Sequence, residues 1–327
     1  MDKDREPTEY GAWARSPAQL SGPAWQAVLK RVWRNIGRHN IGLMSAGVAF
    51  YVFLSFVPLL GALVMTYGLL ADPAIVAEHM KVIIALVPTD AAMLIHEQLS
   101  NLTSAAADKK GLGLLVALTV SIYGATRASS ALISALNVIY DQEDRRSILR
   151  GTVTAGLLIV GAIVIGVVGI AAATMIGYAS ALIGDIGPIG AAFTGVLTWC
   201  AAGGLCCMTI AAMYRFAPDR ADARWQWLTA GSVAATLLWL AATLAFGFYA
   251  ARFGDYDATY GSLGAVVVLL MWLYVSAYAI LVGAVINAET ERQTAQDTTT
   301  GPERPMGKRG AVVADQSAAL MHEFNRE

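Results

Sequence analysis

Arg127 stands at the end of an apolar run that opens at Gly111 and passes through Tyr123. At 1.5 Å per residue it falls about 24 Å down a helix, near the inner edge of a hydrocarbon layer about 30 Å thick. An ionisable group at such depth is costly and defaults to a functional role. Its planar fork suits the phosphate or carboxylate of a passing substrate headgroup. Alternatively its long stem lets the charged head snorkel to the interface. Ser55 and Pro58 sit one turn apart in another apolar run. Proline frees a carbonyl and a nearby hydroxyl helps satisfy local backbone, so the pair marks either a kink or a discontinuous binding helix. Asn137 and Asn287 are buried-amide candidates suited to interhelical hydrogen bonding. Asp255, Asp257 and Tyr260 form a short acidic-aromatic loop with Tyr256. It either anchors a helix end or attracts a cation or basic headgroup.

Other chemistry is thinly represented. His39, His79, His96 and His322 are scattered along the chain. There is no H-E-x-x-H or H-x-H pair, no dense aspartate cluster, no G-x-S-x-G elbow and no P-loop. Cys200, Cys206 and Cys207 share one apolar run, which suits packing better than a disulfide or zinc site. The expectation is a protein that is not an enzyme, with no metal and no cofactor. A metal-dependent nuclease in particular lacks its convergent carboxylates and histidines.

The elements that must position these residues are membrane helices. Of 327 residues, 56% are hydrophobic and 14% charged, and mean hydropathy is +0.54. Water-facing surfaces of soluble domains need about 25% charged residues. The stretch from Val153 to Leu182 carries no charge at all, well beyond the roughly 18 apolar residues that read as a span. Spans are expected at about 41–70, 111–127, 152–182, 190–214, 228–250 and 262–287. Ala128 to Tyr140 either continues the second helix or folds back at the inner surface. Residues 24–40 read as an interfacial amphipathic helix, with Trp25, Val28, Leu29, Val32, Trp33 and Ile36 on one face. Lys30, Arg31, Arg34 and Arg38 fill the other. Residues 71–110 read as an external amphipathic helical hairpin broken at Pro88. Residues 1–23 and 290–327 are expected to be disordered tails. Gly169, Ala173 and Gly177 recur every four residues, which lets helix backbones approach closely.

Orientation follows from the basic residues of short loops. One set carries Lys30, Arg31, Arg34 and Arg38, then Arg145, Arg146 and Arg150, then Arg215, Arg220 and Arg224, then Arg292. The opposite set carries only Lys81, Lys109, Lys110 and Arg252. Six spans gather the rich set on one side, so both termini are expected in the cytoplasm. A net charge of −1 gives no reason to expect a nucleic-acid partner.

Three stretches carry a family resemblance. They are Ala46-Gly-Val-Ala-Phe-Tyr-Val-Phe-Leu-Ser-Phe-Val-Pro-Leu-Leu60, then Tyr214 to Pro218 with Trp225, Gly231 and Trp239, then Tyr260 to Gly264 with Trp272, Tyr274 and Gly283 to Asn287. Leu136-Asn-Val-Ile-Tyr140 fits as well. Together, over roughly residues 25–290, they resemble the YihY/BrkB-type inner-membrane proteins. That resemblance implies six helices in the bacterial cytoplasmic membrane. It also brings a virulence label, a transporter proposal and a former ribonuclease BN label for various members.

The fold class expected is therefore all-α, a polytopic six-span bundle. The expected function is a transporter or lipid- and amphiphile-handling protein without its own ATPase. The rival is a non-transporting envelope scaffold or assembly factor. Expected partners are membrane lipids, a small or amphiphilic solute, and either further copies of the chain or an envelope protein.

Overall fold

The structure is a computed structural model and describes residues 9–70, 107–183, 187–253 and 262–324. It is all-α: among the described residues there is no strand, only an isolated bridge between Ala223 and Thr299. The helices are α1 (Gly22–Arg38), α2 (Ile41–Leu70), α3 (Ala107–Ile139) and α4 (Ile148–Ile183). They continue with α5 (Gly187–Phe216), α6 (Trp225–Phe253), α7 (Ser262–Glu291) and the short α8 (Ala318–Phe324). Five of them are long and apolar enough to cross a membrane. A bent pair, α1 with Ile41–Phe56 of α2, brings the number up to six. The chain is thus a polytopic helical membrane protein.

Local sequence explains the helix ends. Ser21 caps α1 by accepting from the Ala24 amide at 3.3 Å, and Pro23 sits in the first turn, where its missing donor costs nothing. Asn40 ends the turn at φ 51°, a left-handed conformation that asparagine tolerates, and the chain bends by 61° into α2. Val28, Val32 and Asn35 of α1 are buried, while Leu29 and Trp33 are exposed. α2 continues helically through Pro58. The break considered at that proline is not found, and the sharp bend lies eighteen residues earlier at Asn40.

The fold divides into two compact units. One comprises residues up to 45, 129–241 and from 278; the other comprises 46–128 and 242–277. The first holds the main buried cluster, in which Val28, Leu136, Tyr140, Tyr214, Leu281 and Val285 pack together. Within it α6 and α7 cross almost backbone to backbone. A Cβ added to Gly231 would stand 2.1 Å from the Gly283 carbonyl oxygen. The Gly231 amide donates to Asn287 Oδ1 at 2.6 Å, and Asn287 Nδ2 donates to the Leu228 carbonyl at 3.1 Å. Tyr214 ties α5 to the same crossing by donating to the Ile280 carbonyl. Small residues permit the approach and the amide then holds it.

Two expected tails are folded where the structure describes them. Ala12 and Ala14 are buried, and the Ala295 amide donates to the Ala12 carbonyl at 2.6 Å. Arg309, fully buried, donates to the carbonyls of Ala295, Gln296, Arg304 and Ala314. A polar composition suggested disorder because such segments bury little apolar surface. Here Thr294, Asp297, Thr298, Thr299 and Arg309 bond to one another, to Glu291 or to the backbone instead. The expected hairpin at 71–110 lies outside the described residues apart from its last four positions, which begin α3.

Candidate functional site

α3 is unbroken from Ala107 to Ile139 and supplies a candidate span of Leu112–Ile139. This settles whether the chain folds back after Arg127: it does not. Arg127 therefore lies fifteen residues from Leu112 and twelve from Ile139, about 22 Å and 18 Å along the axis. That is the middle of this candidate span counted along the helix, whereas the sequence alone places Arg127 at a span end. The side chain is exposed, and its guanidinium stands 5.2 Å from the centroid of the Tyr123 ring one turn away. Among the described residues it has no ion pair. A guanidinium over an aromatic face retains its hydrogen-bond donors around the edge.

The same stretch of α3 meets α2. A Cβ on Gly124 would fall 2.8 Å from both the backbone nitrogen and the Cβ of Ser55. Gly124 is needed for that approach, since any side chain would strike backbone. Ser55 Oγ donates to its own helix, to the Val52 carbonyl at 2.8 Å. Ser55 and Arg127 are thus brought to neighbouring levels by the Gly124 contact. Pro58 lies one turn further along α2 and is half-buried.

Asn137 belongs elsewhere. In the first unit its Oδ1 accepts from the Asp219 amide at 2.7 Å and its Nδ2 donates to Asp144 Oδ2 at 3.1 Å. Both ends of the amide are engaged in joining the loop after α3 to the loop after α5. Burial alone would raise the Asp144 carboxyl, but bonds from Arg146 and Asn137 hold it below the ordinary aspartate value. Asp255, Asp257 and Tyr260 lie outside the described residues.

The arginine-rich end also holds a buried ionic layer that a motif search passes over. Arg31 Nε meets Glu289 Oε2 at 2.6 Å, and Asn35 Nδ2 donates to Glu289 Oε1 at 2.8 Å. Arg292 pairs with Glu289 and also with Asp141 Oδ2, the latter at 2.6 Å. Arg220 Nη2 meets Glu291 Oε2 at 2.7 Å with both side chains fully buried, and its guanidinium lies over the Tyr140 ring at 4.7 Å. Burial would lower the Arg220 pKa, but Glu291 beside it more than reverses that, and the value stands above that of ordinary arginine. The available signal was Glu289 and Glu291 in the last turn of an otherwise apolar helix. They look like the start of a solvated tail unless their basic partners are known.

Comparison with known proteins fits this architecture. The family model described as Virulence factor BrkB matches residues 32–307. The chain belongs to the BrkB family. Among curated BrkB-like relatives, the ribonuclease-like protein YfkH of Bacillus subtilis (strain 168) is 26% identical over 267 residues, covering 80% of this chain and 94% of the relative. A UPF0761 membrane protein of Tolumonas auensis is 25% identical, covering 78% of this chain and 82% of its own. Another from Psychromonas ingrahamii is 25% identical, covering 80% and 86%. No solved structure matches. The BrkB match runs past residue 290 and so takes in Glu291, Arg292 and Asp297, in the segment that composition alone assigns to a tail. Among the described residues no three His, Cys, Asp or Glu side chains are grouped to hold a metal ion.

Proposed function

We propose that this BrkB-family protein moves or handles a small or amphiphilic anion across the bacterial cytoplasmic membrane. The supporting observation is Arg127, exposed half-way along a span with no ion pair among the described residues. A permanent charge at that depth is rare unless it meets a substrate, a polar cavity or a partner. Gly124 and Ser55 supply a tight helix crossing beside it, and Pro58, one turn further along α2, lacks the amide of one helix hydrogen bond. Both termini lie in the cytoplasm on this reading, because the arginine-rich loops then obey the positive-inside rule. With no P-loop in the sequence, movement is driven by an ion gradient, a substrate gradient or a partner protein. The protein is read as a non-enzyme without a cofactor, and its partners as membrane lipids and the solute, not nucleic acid. Purified protein reconstituted in liposomes and screened for flux of labelled anionic lipids and solutes tests this directly.

The rival reading is a non-transporting envelope scaffold, acting with further copies of itself or another envelope protein. The observation favouring it is the locked first unit, whose folded C-terminal segment resembles a platform more than a moving part. A protein that binds an envelope partner yet passes no solute in any liposome would fit that reading.

A further inference from the structure

One surface of the first unit is cationic beyond what the ionic layer requires. Arg31, Arg34 and Arg38 are spaced three and four residues apart and so share a face of α1. With Arg292, Asp141 and Gln316 they line a pocket of about 310 Å³. Four guanidiniums thus face one lining carboxylate. Asp141 is already engaged by Arg292, and Glu289 nearby is shared between Arg31 and Arg292. Among the described residues, Arg34 and Arg38 have no ion pair. Buried Arg292 Nε makes no hydrogen bond among the described residues either. The pocket therefore has more positive charge and more donors than the described side chains satisfy.

We infer that this pocket binds a phosphate- or carboxylate-bearing anion, with Arg34 and Arg38 as its main contacts. Guanidinium forks match the paired oxygens of such groups and hold them bidentately. A volume near 300 Å³ is at the small end of ligand sites, suiting a single headgroup or a small metabolite. A second hollow of about 430 Å³ shares Arg31, Arg34 and Met321 and adds Pro23 and Ala27, giving an organic body somewhere to lie.

The source of the anion follows from the helix surface. Leu29 and Trp33 are 54% and 82% exposed and form the apolar stripe that suits lipid. Arg34 and Arg38 each follow one of these by five residues, about 140° further around the helix. The arginine face of α1 is thus turned away from the apolar stripe, which favours an anion from water over a lipid headgroup. This site is separate from Arg127, and either can fail without the other.

The test is calorimetric titration of the full-length protein in neutral detergent with inorganic pyrophosphate, and separately with dihexanoyl phosphatidylglycerol. Saturable pyrophosphate binding is expected. Arg38→Gln should weaken it by about tenfold, the worth of one charge-assisted hydrogen bond, and Arg34→Gln/Arg38→Gln should abolish it. An Arg150→Gln/Lys308→Gln control removes equal charge from exposed positions and should bind like the parent. If only the lipid binds, and the arginine variants lose it, the anion site stands with a headgroup as its source. No saturable binding of either probe overturns the inference. So does binding that the arginine variants and the control reduce equally.

Discussion

Arg220 and Glu291 are 71 residues apart in sequence and meet at 2.7 Å as a fully buried ion pair, with the Tyr140 ring against the guanidinium. Thr298 Oγ1 donates to the same carboxylate oxygen at 3.1 Å. The pair therefore joins the loop after α5, the end of α7 and the C-terminal segment at one point. Removing one partner leaves a buried charge uncompensated. Glu291→Gln and Arg220→Gln should each cost about 3–5 kcal/mol. Arg220→Met/Glu291→Leu should cost less than the two single losses added together, because no orphaned charge remains. Thermal unfolding in detergent, followed by tryptophan fluorescence, measures the cycle; simple additivity would contradict the pairing.

The α6–α7 crossing makes a steric prediction. Gly283→Ala puts a methyl group 2.5 Å from the Gly231 carbonyl oxygen, a backbone atom that cannot rotate aside. Overpacking of this kind costs about 1–3 kcal/mol, and the protein should melt at a lower temperature. Gly247→Ala on the same α6 meets nothing within 4 Å and should be neutral or slightly stabilising. Equal effects would mean the helices do not cross at Gly283.

Acid should release the C-terminal segment late. Burial would raise Asp297, but bonds from Thr299 and the Arg304 amide, with Arg309 nearby, outweigh it and hold its carboxyl below the ordinary aspartate value. Its folded value is thus below its unfolded one. The stability it contributes is fully present above the ordinary value of 3.8 and is lost as pH falls through the depressed folded value. Hydrogen exchange of residues 295–315 should stay protected at pH 5 and open only in stronger acid. Asp297→Asn should already be less protected at pH 7 and should change less with pH. A parent segment that opens between pH 6 and 5 would contradict the assignment.

Topology is tested by thiol labelling with Cys200, Cys206 and Cys207 replaced. A cysteine at Glu143, exposed at the arginine-rich end, should resist an impermeant reagent until cells are opened. A cysteine at Asn101 should react in intact cells. The opposite pattern would invert the orientation.

How much of this was legible in the sequence depended on the physical signal. Membrane helices declare themselves by uninterrupted apolarity, as the charge-free stretch from Gly151 to Ile183 shows. Gly231, Gly283 and Asn287 stood within the motifs of the family resemblance, and their packing role is what small and amide residues do between membrane helices. The position of Arg127 along its helix was harder to read. Placing a span end near Arg127 kept it at an edge, whereas α3 continues for twelve further residues. Glu289, Glu291, Asp297 and Arg309 were missed because composition cannot tell a solvated charge from a paired one. Only tertiary structure brings Arg31 to Glu289 across more than 250 residues.

The measurement closest to the central claim is anion flux in liposomes with Arg127 varied. A snorkelling arginine supplies a long stem and a solvated head, which lysine also supplies. A substrate-binding arginine uses its planar fork, which lysine cannot reproduce. Arg127→Lys and Arg127→Gln should both insert in the parent topology. If Arg127 contacts the passing anion, Arg127→Lys should transport about tenfold more slowly, the loss of one charge-assisted bond. Arg127→Gln should then be slower still. Parental flux in both correctly inserted variants would make Arg127 an anchor and contradict a transport path along α3.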